Sequence, residues 1–288
     1  MSCFQVRTDL ALEARESIGE AEEEIRGVSV EEIYDEKNEI RVTRVVIDTK
    51  NGAKAMGKPI GVYTTLEAPR MVEPDENYHQ EISSALAKEL KDIMPEAEKE
   101  KSVLIVGLGN RDVTADALGP NVADNLFITR HVVMEYGKAA YNKAKMHMVS
   151  SIIPGVMAKT GMESAEIIKG VIDQTKPDLV IVVDALAARS TKRLNRTIQI
   201  TNTGIHPGSG VGNHRNALTE ESLQVPVIAI GVPTVVDAAT IVNDAVSGEI
   251  ELNLAELNNM YVTSKDVDYQ IKQISHVICD AINEALEL

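Results

Sequence analysis

Three short runs, Val103–Val106, Leu179–Val183 and Val227–Ile230, are aliphatic without interruption. A half-exposed strand alternates apolar and polar residues, so unbroken runs of this length belong to strands buried on both faces. Helical patterns separate them. One is Glu163–Thr175. Another is the C-terminal segment, which repeats Val267, Ile271, Ile274, Ile278, Ala281 and Ala285 on one face, with Thr263 and Asp266 as its expected capping start. Strands alternating with helices predict an α/β fold, a mostly parallel or mixed sheet flanked by helices. Only 3% of residues are aromatic and none is Trp, so the core of such a sheet is expected to be Val, Ile, Leu and Ala. With 288 residues the chain is long enough for a single α/β domain over 1–288.

The N-terminal part reads differently. Leu10–Ile25 has the look of a surface helix whose run Glu22–Glu24 is a solvated face, stopped at Gly27. Ile40–Asp48 and Gly61–Leu66 are β-branched and predict two strands of a small antiparallel unit, 28–68, appended to the main body. Tyr78, Ile82, Leu86, Leu90 and Ile93 then recur at helical spacing up to Pro95.

The formal net charge of −15 repels a phosphate backbone, which argues against nucleic acid as a direct ligand. No apolar run approaches the length of a membrane span and no signal peptide opens the chain, so a cytoplasmic protein is expected. Cys3 and Cys279 are too few for a disulfide framework and read as unpaired thiols.

In open α/β sheets ligands gather beyond the carboxyl ends of the strands. After Val103–Val106 comes Gly107-Leu108-Gly109-Asn110, the start of a dinucleotide-binding turn whose third small residue is replaced by Asp112, a carboxylate that would face the pyrophosphate. A nucleotide is therefore rejected, and the glycines are read as permitting a tight turn. Asn110 caps that turn or orients a substrate carbonyl. Asp116 follows, near a helix start marked by Pro120, where it either caps the helix or acts in chemistry. Asp184 directly follows the second aliphatic run. A carboxylate there is costly to bury unless it is paired or used. Two carboxylates at neighbouring strand ends can share a proton, one activating water and the other polarising the scissile carbonyl or protonating the leaving amine.

Other constellations are poor. The sequence has no HExxH helix, no Cys cluster for zinc and no GxSxG elbow. His206 and His214 flank a Gly-rich stretch without a nearby carboxylate, so the stretch is read as a substrate-lining loop in which His206 could touch substrate. Ser209 within it lacks an evident base.

Four long motifs then resemble one known family, the spore germination proteases. They are Gly107–Pro120, Asp184–Ser190, Thr203–Asn213 and Ile230–Asp237. The resemblance implies an endopeptidase that degrades small acid-soluble spore proteins and works as an atypical aspartic protease, with a phosphorylase/hydrolase-like fold similar to the hydrogenase maturation proteases. It implies Asp116 and Asp184 as the catalytic pair, no cofactor and no metal, since no histidine aligns with the nickel ligand of the maturation enzymes. It also implies a homotetramer in the spore core or forespore. The segment Arg7–Glu13 is similar to the self-cleavage site of that family's zymogens, which would make Asp9–Leu10 the bond cut and 1–9 a pro-segment. A metal-dependent maturation protease and a non-catalytic scaffold that binds spore protein are the alternative functions.

Overall fold

A computed structural model describes residues 8–17, 25–95, 100–137, 146–207, 216–245, 257 and 260–288. In chain order the elements are α1 (Ala11–Ser17), β1 (Val28–Asp35), β2 (Ile40–Ile47), α2 (Lys50–Met56), β3 (Gly61–Glu67), α3 (Glu76–Ile93) and β4 (Ser102–Gly107). Then come α4 (Leu118–Asn125), α5 (Arg130–Tyr136), β5 (Met148–Ile152), α6 (Met157–Thr160), α7 (Ser164–Thr175) and β6 (Leu179–Ala188). The chain closes with β7 (Thr197–Thr201), α8 (Glu220–Leu223), β8 (Val227–Asp237), α9 (Ala238–Ala245), β9 (Tyr261–Val262) and α10 (Val267–Ala285).

The strands form one mixed sheet in the order β1-β2-β3-β7-β8-β6-β4-β5, with β9 paired to β8. Strands β5, β4, β6 and β8 are mutually parallel, while β7, β3, β2 and β1 add to them antiparallel. The antiparallel unit at 28–68 thus joins the central sheet directly, through the β3–β7 ladder.

Each aliphatic run is continuous because its alternate residues serve two cores. Val103, Ile105, Ile181, Val183, Ile228 and Ile230 point to one side, where Ile82, Leu86 and Leu90 of α3 and Ile274, Ile278 and Ile282 of α10 cover them. Leu104, Val106, Val180, Val182 and Val227 point to the other, under Ala165, Ile168 and Ile172 of α7. Each such fully buried side chain contributes roughly 1.5–3 kcal/mol relative to exposure. The chain leaves β4 and β6 for opposite faces, with α4 on the α3/α10 side and α8, reached after β7, on the α7 side. Between β4 and β6 the chain diverges in this way, and such divergence opens a crevice at the carboxyl ends of the two strands.

Local signals behave as their chemistry dictates. The Asp75 side chain accepts from the Tyr78 N–H and starts α3, which stops before Pro95. Glu166 Oε2 accepts from the Glu163 N–H at 2.8 Å at the start of α7. The expected cap of α10 does not form. Asp266 occupies the N-cap position without a side-chain bond, and the Thr263 hydroxyl turns instead to the Thr234 carbonyl at 2.7 Å, because β9 holds it against β8. The N-terminal helix is described over Ala11–Ser17, and residues 18–24, Glu22–Glu24 among them, lie outside the described residues.

Strands β6 and β8 also run further than their aliphatic runs. Asp184 lies inside β6, and the β6–β8 ladder continues to Ala188↔Val236. Gly231 and Pro233 look like strand breakers. Gly231 simply pairs with Asp184, and Pro233 sits where the register shifts, Leu186 facing Pro233 and Ala187 facing Val235. Thr234 is the extra residue of this bulge, a device that re-aims a side chain.

Candidate active site

The crevice is a cleft of about 320 Å³ whose lining includes Asp9, Asp116, Asp184, Leu186, Pro207 and Thr234. Asp116 arrives there on the loop after β4. That loop folds back through backbone bonds, Asn110 N–H to Asp116 O at 2.9 Å and Asp116 N–H to Val113 O at 2.8 Å. Gly109 makes the return possible. It adopts φ +120°, and a Cβ on it would stand 1.9 Å from the Asp116 carbonyl oxygen. Gly119 does the same for α4: a Cβ there would meet the carbonyl oxygens of Leu108 and Val183 at 2.4 and 2.5 Å. The bare glycine lets the helix start seat directly on the ends of β4 and β6. The Thr234 hydroxyl donates to Ala115 O at 2.6 Å and ties the loop to β8 from the far side. Asp116 forms the end of a 3₁₀ turn, Thr114–Asp116, and the N-cap position of α4 falls on Ala117.

Asp184 comes from the sheet itself. β4 ends at Gly107, paired with Val183, so Asp184 is the first residue of β6 beyond its neighbour's end. It is 6% exposed, and its Oδ1 accepts from the Ala185 N–H at 3.0 Å.

Asp9 enters from the N-terminal segment. Its N–H donates to Ala187 O at 3.2 Å and its carboxylate accepts from the Ala187 N–H at 3.0 Å, so the segment lies along the end of β6. The Asp9 carbonyl oxygen accepts from Lys58 Nζ at 2.8 Å and from Gln199 Nε2 at 3.3 Å. Leu10 is fully buried among Leu186, Ala188 and Val236. The Ala11 N–H donates to Gln199 Oε1 at 2.7 Å. Further on, Glu13 is 2% exposed and accepts from the N–H groups of Arg189 at 2.8 Å and Ser190 at 3.1 Å, from Arg193 at 3.4 Å, and from the Thr8 hydroxyl.

The remaining candidates fall around this centre. Asn110 serves its own turn: Oδ1 accepts from the Asp112 N–H at 3.1 Å, and the residue is not among those lining the cleft. His206 is exposed and lines a small adjoining cavity of about 80 Å³ shared with Asp9, Lys58, Tyr63 and Gln199. Ser209 and His214 lie outside the described residues. Among the described residues no three His, Cys, Asp or Glu side chains gather in a way that could hold a metal ion. Among them, too, no helix is long and apolar enough to cross a membrane.

Sequence reasoning passes over Lys58, Gln199 and Thr234. Lys58 is one basic residue in a turn, Gln199 gains its place only through the β7–β8 ladder, and Thr234 only through the bulge in the β6–β8 ladder. The Gly57-Lys58-Pro59 turn after α2 carries no signal that separates Lys58 from other surface lysines.

Comparisons with known proteins place the chain in a family. Residues 6–251 match the model of the germination protease family. A germination protease of Caldanaerobacter subterraneus is 46% identical, with 98% of this chain and 94% of that protein covered. One of Clostridium perfringens is 43% identical over 99% of this chain and 96% of its own length, and one of Bacillus mycoides is 48% identical over 85% of this chain and 67% of its own. A nickel–iron hydrogenase maturation protease of Thermococcus kodakarensis superposes with a TM-score of 0.35 at 18% identity, covering 67% of this chain and 98% of that one.

Proposed function

The chain belongs to the germination protease family, and from its place among these proteases of spore germination we propose an endopeptidase of aspartic type in which Asp116 and Asp184 act as a pair. Its substrates are the small acid-soluble spore proteins, and its working form is a homotetramer in the spore core. The observation that carries the reading is that Asp116, Asp184 and Asp9 line one cleft.

Two carboxyl groups in one cleft titrate as a unit, because ionising the first disfavours ionising the second. The ionised member takes a proton from water as the water oxygen adds to the scissile carbonyl carbon. The protonated member gives its proton to the leaving nitrogen. General acid and general base catalysis of this kind are worth roughly 10²–10⁴-fold each.

The segment around Asp9–Leu10 is read as the protein's own first substrate. It reaches the cleft through one backbone bond and one carboxylate bond to Ala187, and Leu10 is buried beyond it. Cutting there would remove residues 1–9 and convert a zymogen to the mature enzyme.

Digestion of a purified small acid-soluble spore protein, followed by mass spectrometry, tests the reading. Discrete cleavage that survives a chelator and disappears in Asp116→Asn and Asp184→Asn is expected. Cleavage abolished by chelator would replace the aspartate pair with a metal centre, and intact substrate recovered in complex would make the protein a binding scaffold.

A further inference from the structure

We propose that Lys58 and Gln199 form the oxyanion site of the cleavage reaction, holding the carbonyl oxygen of the residue before the cut while Asp116 and Asp184 handle the water and the leaving nitrogen. The proposal rests on the reading of Asp9–Leu10 as a scissile bond.

The geometry brackets that bond. Lys58 Nζ and Gln199 Nε2 both point at the Asp9 carbonyl oxygen, at 2.8 and 3.3 Å. The same Gln199 amide accepts from the Ala11 N–H at 2.7 Å, so one side chain grips the backbone on both sides of Leu10. Leu10, fully buried against Leu186, fixes the residue after the cut. A peptide held at three consecutive residues cannot swing its carbonyl away, and fixed geometry of this kind lowers the entropic cost of the reaction.

The sheet sets the two halves of the machinery opposite each other. Asp184 pairs with Gly231 on β8, and Gly231 pairs with Gln199 on β7. Residues in one such row project from the same face. At the usual strand spacing, the backbones carrying Asp184 and Gln199 stand about 10 Å apart. The residue between them has no side chain, and the Leu186 methyl groups cover it, 2.4 Å from where a Cβ would be. Asp9 lines both the cleft that holds the aspartates and the cavity that holds Lys58 and Gln199. The acid–base pair therefore works from one side of the peptide and the donors from the other.

A cation is more than a neutral carbonyl oxygen requires, since an amide or a water molecule would satisfy it. Burial works against the Lys58 ammonium and lowers its pKa, although the carboxylates of Asp9 and Glu13 favour it. A charged donor in such a position is suited to an oxygen that becomes negative. The step balances. Water oxygen bonds to the Asp9 carbonyl carbon, its proton passes to the ionised aspartate, and the carbonyl π pair moves onto the oxygen facing Lys58 and Gln199. When the pair returns, the carbon–nitrogen bond breaks and Leu10 N takes the proton held by the acid. The products are a C-terminal carboxyl on Asp9 and a free amine on Leu10. With the oxygen already held, the protonated aspartate is left for the nitrogen.

The test uses the full chain with Lys58→Met and Lys58→Arg, alongside Asp184→Asn. Loss of residues 1–9 is followed by mass spectrometry, docking of the segment by hydrogen exchange at the Leu10 and Ala11 amides, and trans-cleavage of a small acid-soluble spore protein as kcat and KM separately. Lys58→Met is expected to slow both cuts by about 10²–10³-fold in rate or kcat, with exchange protection and KM kept, and Lys58→Arg to recover part of the loss. Unchanged rates in Lys58→Met would overturn the proposal. So would a slowing that only tracks lost protection or raised KM, which would make Lys58 an anchor. Full activity in Asp184→Asn together with the loss in Lys58→Met would remove the aspartate pair and leave the oxyanion site standing.

Discussion

The hydroxyl of Thr234, the extra residue of the β8 bulge, donates to the carbonyl oxygen of Ala115 at 2.6 Å, one residue before Asp116. A distortion in one strand thus sets the position of a loop that leaves another. Thr234→Val keeps the β-branched shape and removes the bond. Losing this part-buried bond should cost about 0.5–1.5 kcal/mol. The turnover number should fall at least as steeply as stability, because Asp116 loses its restraint. Thermal unfolding measured beside kcat on a spore protein decides this, and an unchanged kcat would separate Thr234 from the chemistry.

Gly109→Ala attacks the same loop from within. Its φ of +120° and the 1.9 Å approach to Asp116 O leave no room for a methyl group. The loop must shift, at roughly 1–3 kcal/mol for the strained backbone. The β4 core strand packs independently of that methyl, so the variant should fold and cut poorly. Retained cleavage at the wild-type rate would mean that Asp116 tolerates displacement.

Glu13 is expected to anchor the N-terminal segment. Glu13→Ala strips the acceptor from the N–H groups of Arg189 and Ser190 and from one side of Arg193, at a cost of about 1–3 kcal/mol. The loss should appear as faster hydrogen exchange around Leu10 and a slower self-cut, with α3 and α10 unaffected. Exchange that rises throughout the sheet instead would mean that Glu13 supports the whole fold.

The thiol of Cys279 gives a pH signature. It sits buried on α10, donating to Asn125 O at 3.0 Å, and burial lifts its pKa from 9.0 to about 11. Between these values the unfolded chain releases the proton and the folded chain keeps it, so the unfolded state gains on raising the pH. The stability associated with Cys279 is complete below pH 9 and is lost as pH rises through about 11. Denaturant melts of the wild type and Cys279→Ala should therefore differ in slope across that window and run parallel below it.

The architecture was legible where burial acts on neighbouring residues. The three aliphatic runs read as two-faced strands because alternate residues really do serve α7 on one side and α3 with α10 on the other. The rule that sites gather beyond strand ends leads from those runs to Asp116 and Asp184, and the structure sets both in one cleft. What stayed hidden depends on pairing between distant segments. The third aliphatic run ends at Ile230, yet β8 continues through Gly231, which pairs with Asp184, and Pro233, which sits at the bulge. Gln199 has no local mark that distinguishes it from any polar strand residue. Only the β7–β8 register brings it into the row of Asp184. Thr263 failed as a cap for a related reason: the acceptor for its hydroxyl is Thr234 O, which no local pattern places nearby.

The backbone bond from Asp9 to Ala187 joins two parts of the same molecule. A reaction whose substrate is tethered to its own catalyst is first order, and its half-life ignores dilution. Under the proposed cut at Asp9–Leu10, the folded chain's processing clock would run at the same pace in a crowded compartment as in a dilute tube. Only conditions that change the cleft itself, its hydration or its protons, could hold that clock still.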